Sequence, residues 1–362
     1  MIPASEPVHR PPDAKLLFVR RSGFLEHRPR ADFVRLLQPA DLVIANDAAT
    51  LPASLSGIHR PSGRSIEVRL AGRRSLDPTQ VDRFTAVVFG AGDFRARTED
   101  RAAPPTLNPG DDLELGQLRA TVARVLDHPR LVALHFHGTS GEIWAGFAHH
   151  GKPVQYAHIP QPLAMFDTWS AIAASPAAFE PPSAGFVLSW ATLAALEARG
   201  IEFATLTHAA GLSSTGDPRL DARLPLDEPY IIPVATRDAI SRVRARNGRI
   251  VAVGTTVVRA LEDAAWANGQ ISAGPGLARL KLGPETRLRV VDAILSGTHE
   301  NGTSHHEMLR AFVPRRVLLR MDEQLDAHGY RTHEFGDSVL IERNEPQRSP
   351  SGSWAGIFCD VQ

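Results

Sequence analysis

Residues 248–265 constrain the fold more than any other segment, because they read as a buried strand, a polar turn and a helix in direct succession. Ile250–Val253 is short, apolar and rich in β-branched residues, as in a parallel strand covered on both faces. Gly254 interrupts this run, and Thr255 and Thr256 are residues that can cap the following helix. We therefore expect an α/β sheet with a ligand site at the carboxyl end of this strand.

Arg259 and Glu262 lie three positions apart in the helix after this turn, so they share one helical face. Two interpretations fit them. In one, the threonines only cap the helix and the two charged residues form a solvent-exposed pair; in the other, the turn and this face bind a substrate. The residue types alone do not decide between the two.

Composition limits the classes of protein to which this chain can belong. Its 362 residues are 43% hydrophobic and carry a formal net charge of zero, which is typical of a globular protein with room for two domains. No apolar run approaches roughly 18 residues and no basic-then-apolar segment opens the chain, so we expect a cytoplasmic protein without membrane contact. The single Cys359 excludes an internal disulfide framework, and we expect it to be inert. The charge balance neither supports nor excludes an RNA substrate.

The pattern of the sequence changes twice along the chain, which predicts an inserted domain. Short strands and turns fill residues 58–156, as in a small antiparallel β-barrel, with strand candidates at 66–70, 81–89, 113–125, 131–136 and 143–147. After the prolines of 159–162 the pattern becomes α/β, with helices predicted at 190–199 and 236–247 and strands at 201–207, 250–253 and 339–342. We predict a large mixed α/β domain at 1–57 and 157–343, a β-barrel domain at 58–156 and a flexible tail at 344–362.

Two further segments place small or titratable residues at predicted element ends. Ser183, Ala184 and Gly185 precede a helix, where small side chains let a ligand approach the backbone, although Ser183 also fits an ordinary N-cap. His208 ends a predicted strand. A histidine with a reference pKa of about 6.5 suits proton transfer, whereas a hydrogen-bonded structural histidine is the plainer interpretation.

Two groups of histidines raise the alternative of a metal site, because imidazole and carboxylate are common zinc and iron ligands. The groups are His299, Glu300, His305, His306 and Glu307, and His135 and His137 with His149, His150 and His158. The spacing of the first group matches no helix-borne ligand motif, so we interpret it as a solvated polar cluster. His135 and His137 alternate on a predicted strand and point the same way, which leaves a metal site in the β-barrel as an alternative. We predict no metal.

Ordered motifs along the chain resemble those of one enzyme family. G-T-T-V-V-R-A-L-E at 254–262 is similar to G-T-T-x-V-R-x-L-E, and D-L-V-I-A-N-D at 41–47 to D-L-L-V-x-N-D. P-S-A-G at 182–185 resembles P-T-A-G, and F-G-D-S at 335–338 resembles Y-G-D-A. V-V-D-A-I-L at 290–295, with His299 and the pair Thr303–Ser304 after it, resembles V-V-D-A-L-x-T-N-F-H-L-P-x-S-T-L. From about residue 16 to 342 the chain thus resembles the S-adenosylmethionine:tRNA ribosyltransferase-isomerases of queuosine biosynthesis.

The resemblance implies a large α/β domain with an inserted β-barrel and an unusual reaction. The ribosyl part of S-adenosylmethionine, a co-substrate, moves to the aminomethyl group of a deazaguanine base in tRNA, with loss of adenine and methionine and formation of an epoxy-cyclopentane. Such chemistry needs a base near the sulfonium-bearing carbon and an acid for the departing adenine. The candidate catalytic residues are His208, His299 and Asp292.

The same resemblance supplies candidate substrate-binding residues. Carboxylates such as Glu228 and Asp337 would hold the sulfonium or the ribose hydroxyls, and Thr255, Thr256 and Arg259 would orient a polar end of the substrate. The full set is Asn46, Asp47, Ser183, Ala184, Gly185, Glu228, Gly254, Thr255, Thr256, Arg259, Glu262, Thr303, Ser304, Gly336 and Asp337.

The chain departs from the family motifs at polar positions. Ala49 and Ser54 stand where N-D-T-R-V-I-P-A-R-L has arginines, and Val187 and Leu226 stand where P-T-A-G-L-H-F and H-S-E have histidines. Alanine and serine lack the bidentate phosphate contacts of arginine. Three hypotheses follow: the family reaction on tRNA by a monomer, a paralogue that uses S-adenosylmethionine with a small-molecule acceptor, and a non-catalytic ligand- or RNA-binding module.

Overall fold

The computed structural model describes residues 1–266 and 269–344. Cys359 and all but the first residue of the predicted tail lie outside the described residues. The strands, in chain order, are β1 Ile2–Pro3, β2 Lys15–Val19, β3 Leu25–Pro29, β4 Leu42–Asn46, β5 Ala48–Thr50, β6 Ser54–His59, β7 Arg64–Gly72, β8 Arg83–Phe89, β9 Asp112–Leu115, β10 Leu118–Val125, β11 Leu131–Phe136, β12 Gly151–Lys152, β13 Ser175–Ala178, β14 Glu202–His208, β15 Glu228–Ile232, β16 Ile250–Val253, β17 Gly274–Ala278, β18 Ala293–Gly297, β19 Arg331–Thr332 and β20 Ser338–Glu342.

The α-helices of the described residues are α1 Ser140–His150, α2 Trp190–Ala198, α3 Pro218–Asp221, α4 Val234–Ala245, α5 Thr255–Ala264, α6 Ser304–Leu309 and α7 Arg315–Ala327. Short 3₁₀ helices cover Arg30–Leu36, Thr98–Asp100, Met165–Thr168 and Ser183–Val187. Among the described residues, no helix has both the length and the apolar character needed to cross a membrane.

A nine-stranded sheet forms the centre of the larger part of the chain, in the order β17-β15-β14-β4-β16-β18-β20-β2-β3. Its four middle strands, β14, β4, β16 and β18, run parallel. All four residues of β16 are buried, as the apolar run at 250–253 predicts for a strand covered on both faces. The α/β prediction is confirmed, and the carboxyl ends of the middle strands lie at one edge of the sheet.

Each face of this sheet has its own apolar core, because alternate side chains of a strand point to opposite faces. One core joins Ile250 and Ile44 to buried residues of α4, α5 and α7, such as Leu261. The other joins Val251 and Val43 to residues of α2 and of the 3₁₀ helix Arg30–Leu36. The sheet is therefore a rigid support for the loops at its edges.

The second large element is a closed antiparallel barrel of six strands. Its sheet has the order β12-β6-β7-β8-β11-β10-β9, and pairing of β6 with β9 closes it. The predicted β-barrel is confirmed. The six barrel strands run from Ser54 to Phe136, and the two-residue strand β12 adds a seventh strand beside β6. The limits of a separate domain at 58 and 156 remain a proposal.

One predicted strand within the barrel is wrong, and the predicted β segment 113–125 is a hairpin of two strands. Residues 143–147 belong to α1, which a capping box starts: Thr139 Oγ1 accepts from the Glu142 N–H at 3.3 Å, and the Glu142 carboxylate accepts from the Thr139 N–H at 2.7 Å. Residues 113–125 form the hairpin β9–β10, in which Gly116 adopts a φ of +65°. A side chain at that glycine would also meet the His150 ring.

Candidate active site

A cleft of about 380 Å³ lies at the carboxyl ends of the parallel strands. Its floor includes the turn between β16 and α5, where Gly254 has a φ of +96° that favours glycine. The Gly254 N–H donates to the Leu295 carbonyl at 2.8 Å, which ties this turn to β18. The sequence-predicted residues that line the cleft are Ser183, Ala184, Glu228, Gly254, Thr255, Thr256, Arg259, His299 and Ser304.

The threonines of this turn do not cap α5 through their side chains, which corrects the capping interpretation. Gly254 is the N-cap residue, and no side-chain capping bond is present there. Thr256 Oγ1 instead lies 3.4 Å from Asn46 Nδ2. The first N–H groups of α5 therefore remain available to a ligand in the cleft, beside the positive end of the helix dipole.

Arg259 is buried, and its guanidinium makes its hydrogen bonds and its ion pair with other groups of the protein. Its guanidinium pairs with Glu228 and donates to the carbonyls of Leu226 and Ala278, both at 2.8 Å, and of Leu280 at 3.1 Å. With a side chain only 3% exposed, Arg259 is not part of a solvent-exposed pair. It holds Glu228 at the cleft wall and fixes the strands that flank it.

Glu262, the other half of the predicted pair, faces away from the cleft. Its carboxylate accepts three backbone N–H groups, those of Arg289 at 2.7 Å, Val290 at 3.0 Å and Val291 at 2.9 Å. The side chain therefore anchors the segment that leads into β18. Its predicted role in substrate binding is not supported by its position.

His208 lies behind Glu228 and is buried on all sides. Its Nε2 is 3.4 Å from the Glu228 carboxylate, yet neither ring nitrogen has a hydrogen-bond partner. Burial, assisted by the charge of Arg259, lowers the pKa of His208 to about 3. The ring is therefore neutral at physiological pH, and Glu228 forms its ion pair with Arg259 alone. Burial raises the pKa of Glu228, and Arg259 opposes that rise.

Asp292, a candidate catalytic residue, does not line the cleft. It precedes β18, and its carboxylate accepts the Ile250 N–H, the first donor of β16, at 2.9 Å. The guanidinium groups of Arg244 and Arg343 form ion pairs with this carboxylate, each with a nitrogen–oxygen distance of 2.9 Å. These contacts lie at the amino ends of the parallel strands, whereas the cleft lies at their carboxyl ends.

The remaining predicted residues support the cleft from outside its lining. These are Asn46, Asp47, Gly185, Thr303, Gly336 and Asp337. Asn46 bridges the backbone N–H and carbonyl of His208, and Thr303 caps α6 by accepting the His306 N–H at 3.2 Å. Asp337 is buried and accepts the N–H groups of Lys15 and Arg331. Their contacts fit a structural role.

His299 is the predicted catalytic residue that does line the cleft. Its ring stacks on that of His305, with centroids 4.6 Å apart and an angle of 14° between the planes. Burial, and then the neighbouring His305, lowers the pKa of His299 well below its ordinary value. The ring is neutral at physiological pH and can accept a proton.

Glu180 lines the same cleft and was missed by the sequence reasoning. It accepts a hydrogen bond from the Tyr156 hydroxyl and one from the Ser213 N–H at 3.0 Å. Burial is the main cause that raises its pKa to about 7, and the nearby charge of Glu334 adds to the rise. Glu180 can therefore exchange a proton at neutral pH. The sequence signal that could have indicated Glu180 as a site residue is its position directly before Pro181-Pro182 and the predicted small-residue turn.

Comparisons with known proteins agree with this architecture. A profile of the family described as "Queuosine biosynthesis protein" matches residues 2–341. The S-adenosylmethionine:tRNA ribosyltransferase-isomerase of Sorangium cellulosum is 35% identical, over 93% of this chain and 94% of its own. That of Gloeobacter violaceus is 32% identical, over 93% of this chain and 92% of its own. The chain belongs to the queuosine biosynthesis protein family.

A solved structure supports the fold independently. The S-adenosylmethionine tRNA ribosyltransferase of Thermotoga maritima superposes with a TM-score of 0.50 at 22% identity, covering 94% of this chain and 96% of that one. The overall fold of this chain is therefore similar to that of the Thermotoga maritima protein despite the low identity.

Proposed function

We propose that this protein is an S-adenosylmethionine-dependent ribosyltransferase-isomerase. It transfers the ribosyl group of S-adenosylmethionine to 7-aminomethyl-7-deazaguanine in tRNA and isomerises it, which gives epoxyqueuosine, adenine and methionine. The observation that carries this proposal is the family match over residues 2–341. Relatives named S-adenosylmethionine:tRNA ribosyltransferase-isomerase also align with almost the whole chain. A polar cleft at the carboxyl ends of the parallel strands supports it.

The composition of the cleft suits a cationic donor with polar ends. Glu180 lies on its wall, and an ionised carboxylate stabilises a nearby sulfonium more strongly in a shielded site than in water. The open N–H groups at the start of α5 suit the anionic end of the donor, its methionine carboxylate. Gly254 and Ala184 keep this wall free of large side chains.

Two cleft residues fit the proton transfers. His299 lines the cleft and is neutral, so as a weak base it offers an unprotonated ring nitrogen to the proton on the carbon next to the sulfonium. Glu180, with a pKa of about 7, can give a proton to the departing adenine or accept one. His208 and Arg259 act through Glu228, which they contact, and are positioning residues.

Adenine release measures this activity directly. Purified protein is incubated with S-adenosylmethionine and tRNA that carries 7-aminomethyl-7-deazaguanine, and adenine is quantified by chromatography. We expect release by the native protein and a large fall in kcat for His299→Ala and Glu180→Gln. His149→Ala is the matched control, because His149 is an exposed histidine on α1 of the barrel. Unchanged turnover in His299→Ala would remove His299 from the chemistry.

The choice of acceptor is tested in the same assay. Ala49 and Ser54 replace family arginines, so free 7-aminomethyl-7-deazaguanine is compared with the modified tRNA. We expect release only with tRNA. Release with the free base alone would assign a small-molecule acceptor, and the absence of release with either would favour the non-catalytic binding module. We also propose a cytoplasmic monomer, which gel filtration and cell fractionation test.

A further inference from the structure

Three metal-binding side chains meet at the edge of the cleft. His158, His333 and Glu334 each offer a ligand atom, and these atoms all lie within 4.8 Å of one another. His158 Nε2 is 3.2 Å from the Glu334 carboxylate, and the rings of His158 and His333 have centroids 4.3 Å apart. The three side chains are between 14% and 36% exposed. They are shielded from bulk water but remain open to the cleft, which His333 and Glu334 line.

The donor set is that of a transition-metal site. Two imidazoles and one carboxylate bind zinc in hydrolytic enzymes and ferrous iron in oxygenases, and they leave coordination positions free for water or substrate. We infer that His158, His333 and Glu334 bind one divalent transition-metal ion whose free coordination positions face the cleft. The inference rests on these side chains and does not depend on the proposed reaction.

The backbone holds His333 in an unusual conformation. Its φ is +69°, in the left-handed region that few non-glycine residues adopt. The Gly336 N–H donates to the His333 carbonyl at 3.0 Å, and a side chain at Gly336 would collide with the Arg331 carbonyl. Strained backbone of this kind persists where the surroundings impose it and concentrates at ligand sites.

Binding requires a small rearrangement of the three side chains. With ligand distances of about 2.0–2.2 Å, the ligands of a tetrahedral ion lie roughly 3.3–3.5 Å apart. The widest pair, which is up to 4.8 Å apart, must therefore close by up to about 1.4 Å, and one of the stacked rings, which are inclined at 21°, must rotate. Glu300, 3.7 Å from His333 Nε2, is placed to orient that ring from outside the site.

This triad differs from both histidine groups considered in the sequence. His306 is held by Asp322 at 3.0 Å, and His135 and His137 lie on the barrel with ring centroids 5.1 Å apart. His158 is the one residue of these two groups that belongs to the triad. It joins residues that are far apart along the chain, at 158 and 333–334.

Zinc binding by the full chain tests the inference. Protein stripped with a chelator is dialysed against zinc, and bound metal is measured by mass spectrometry. Cobalt(II) absorption then reports the coordination geometry. We expect one zinc per chain and a cobalt spectrum typical of four or five nitrogen and oxygen ligands. The variants are His333→Ala and the isosteric Glu334→Gln, with circular dichroism to verify folding.

Each variant should weaken zinc binding by more than roughly 100-fold, since loss of an outer-shell partner alone costs about 10- to 100-fold. The exposed His149→Ala should bind zinc like the native chain. Zinc that is retained by both folded variants, or no zinc bound by the native chain, would overturn the inference. Adenine release is measured separately, so failure of the metal site and failure of the proposed reaction are distinguishable.

Discussion

Replacing Glu180 by glutamine should change the pH dependence of stability. Burial raises the pKa of this carboxyl from 4.5 to about 7 in the folded protein. Between these values the folded state keeps a proton that the unfolded state has released. The stability due to this group is therefore complete below the unfolded pKa and is lost as the pH rises through the folded pKa.

The size of the stability change follows from the rise in the pKa of Glu180. A rise of about 2.5 pKa units corresponds to about 3 kcal/mol, at about 1.4 kcal/mol per unit. The free energy of unfolding of the native protein should fall by this amount between pH 4.5 and about pH 8. Glu180→Gln has no carboxyl to ionise at this position, so its free energy of unfolding should not show this fall. With an unfolding entropy of about 2.1 cal/mol/K per residue, this corresponds to a difference of about 4 °C in Tm for a chain of this length.

Differential scanning calorimetry at several pH values between 5 and 8 measures this difference. The Tm of Glu180→Gln should rise relative to the native protein as the pH increases, and the gap should level off above pH 8. Glu197→Gln is the control, because Glu197 is an exposed glutamate in α2. A difference between Glu180→Gln and native protein that is the same at pH 5 and pH 8 would refute the reasoning.

Three further substitutions test the packing around the cleft. Arg259→Ala leaves Glu228 buried without its partner and should cost about 3–5 kcal/mol in calorimetry; a loss below 1 kcal/mol would contradict a buried pair. Glu262→Gln removes an ionised acceptor of three backbone N–H groups and should lower stability by about 1–3 kcal/mol, again read from Tm. Thr139→Ala removes the α1 capping box and should cost about 1 kcal/mol, while adenine release stays at the native rate if the barrel cap is independent of the cleft.

The sequence was sufficient for the central strand, turn and helix, whose determining interactions are local. The apolar run 250–253, the break at Gly254 and the helix after it are all found in the structure, because strand and helix periods appear within a few residues. α1 was missed although its signal is also local. Thr139 and Glu142 have the spacing of a capping box, and Ile143 and Phe147 have the i, i+4 spacing of a buried helical face.

Long-range contacts decide the functions of side chains, and here the sequence could not suffice. Arg259 and Glu262 share a helix, yet one reaches Glu228 and the other the backbone at 289–291. Their spacing gives no indication of these partners. For the same reason, Glu180 and His333 could not be assigned to one cleft, since only the folded sheet brings their loops together.

The lost family arginines clarify how this chain differs from its relatives. Ser54 donates to Glu67 at 2.8 Å, and the same carboxylate pairs with Arg69 and Arg101. Two guanidinium groups thus share one carboxylate beside the position where the family motif has arginine. A positive charge is therefore retained, but on neighbouring strands and loops of the barrel.

This retained charge cannot contact an RNA phosphate, because the Arg69 side chain is only 1% exposed. Its guanidinium instead lies 5.7 Å from the centre of the Tyr156 ring, and Tyr156 donates to Glu180 at the cleft wall. The buried Arg69 therefore stabilises the layer behind the cleft. Because Ala49 and Ser54 stand at the positions of the two motif arginines, the comparison of tRNA with the free base tests whether their absence changes the acceptor.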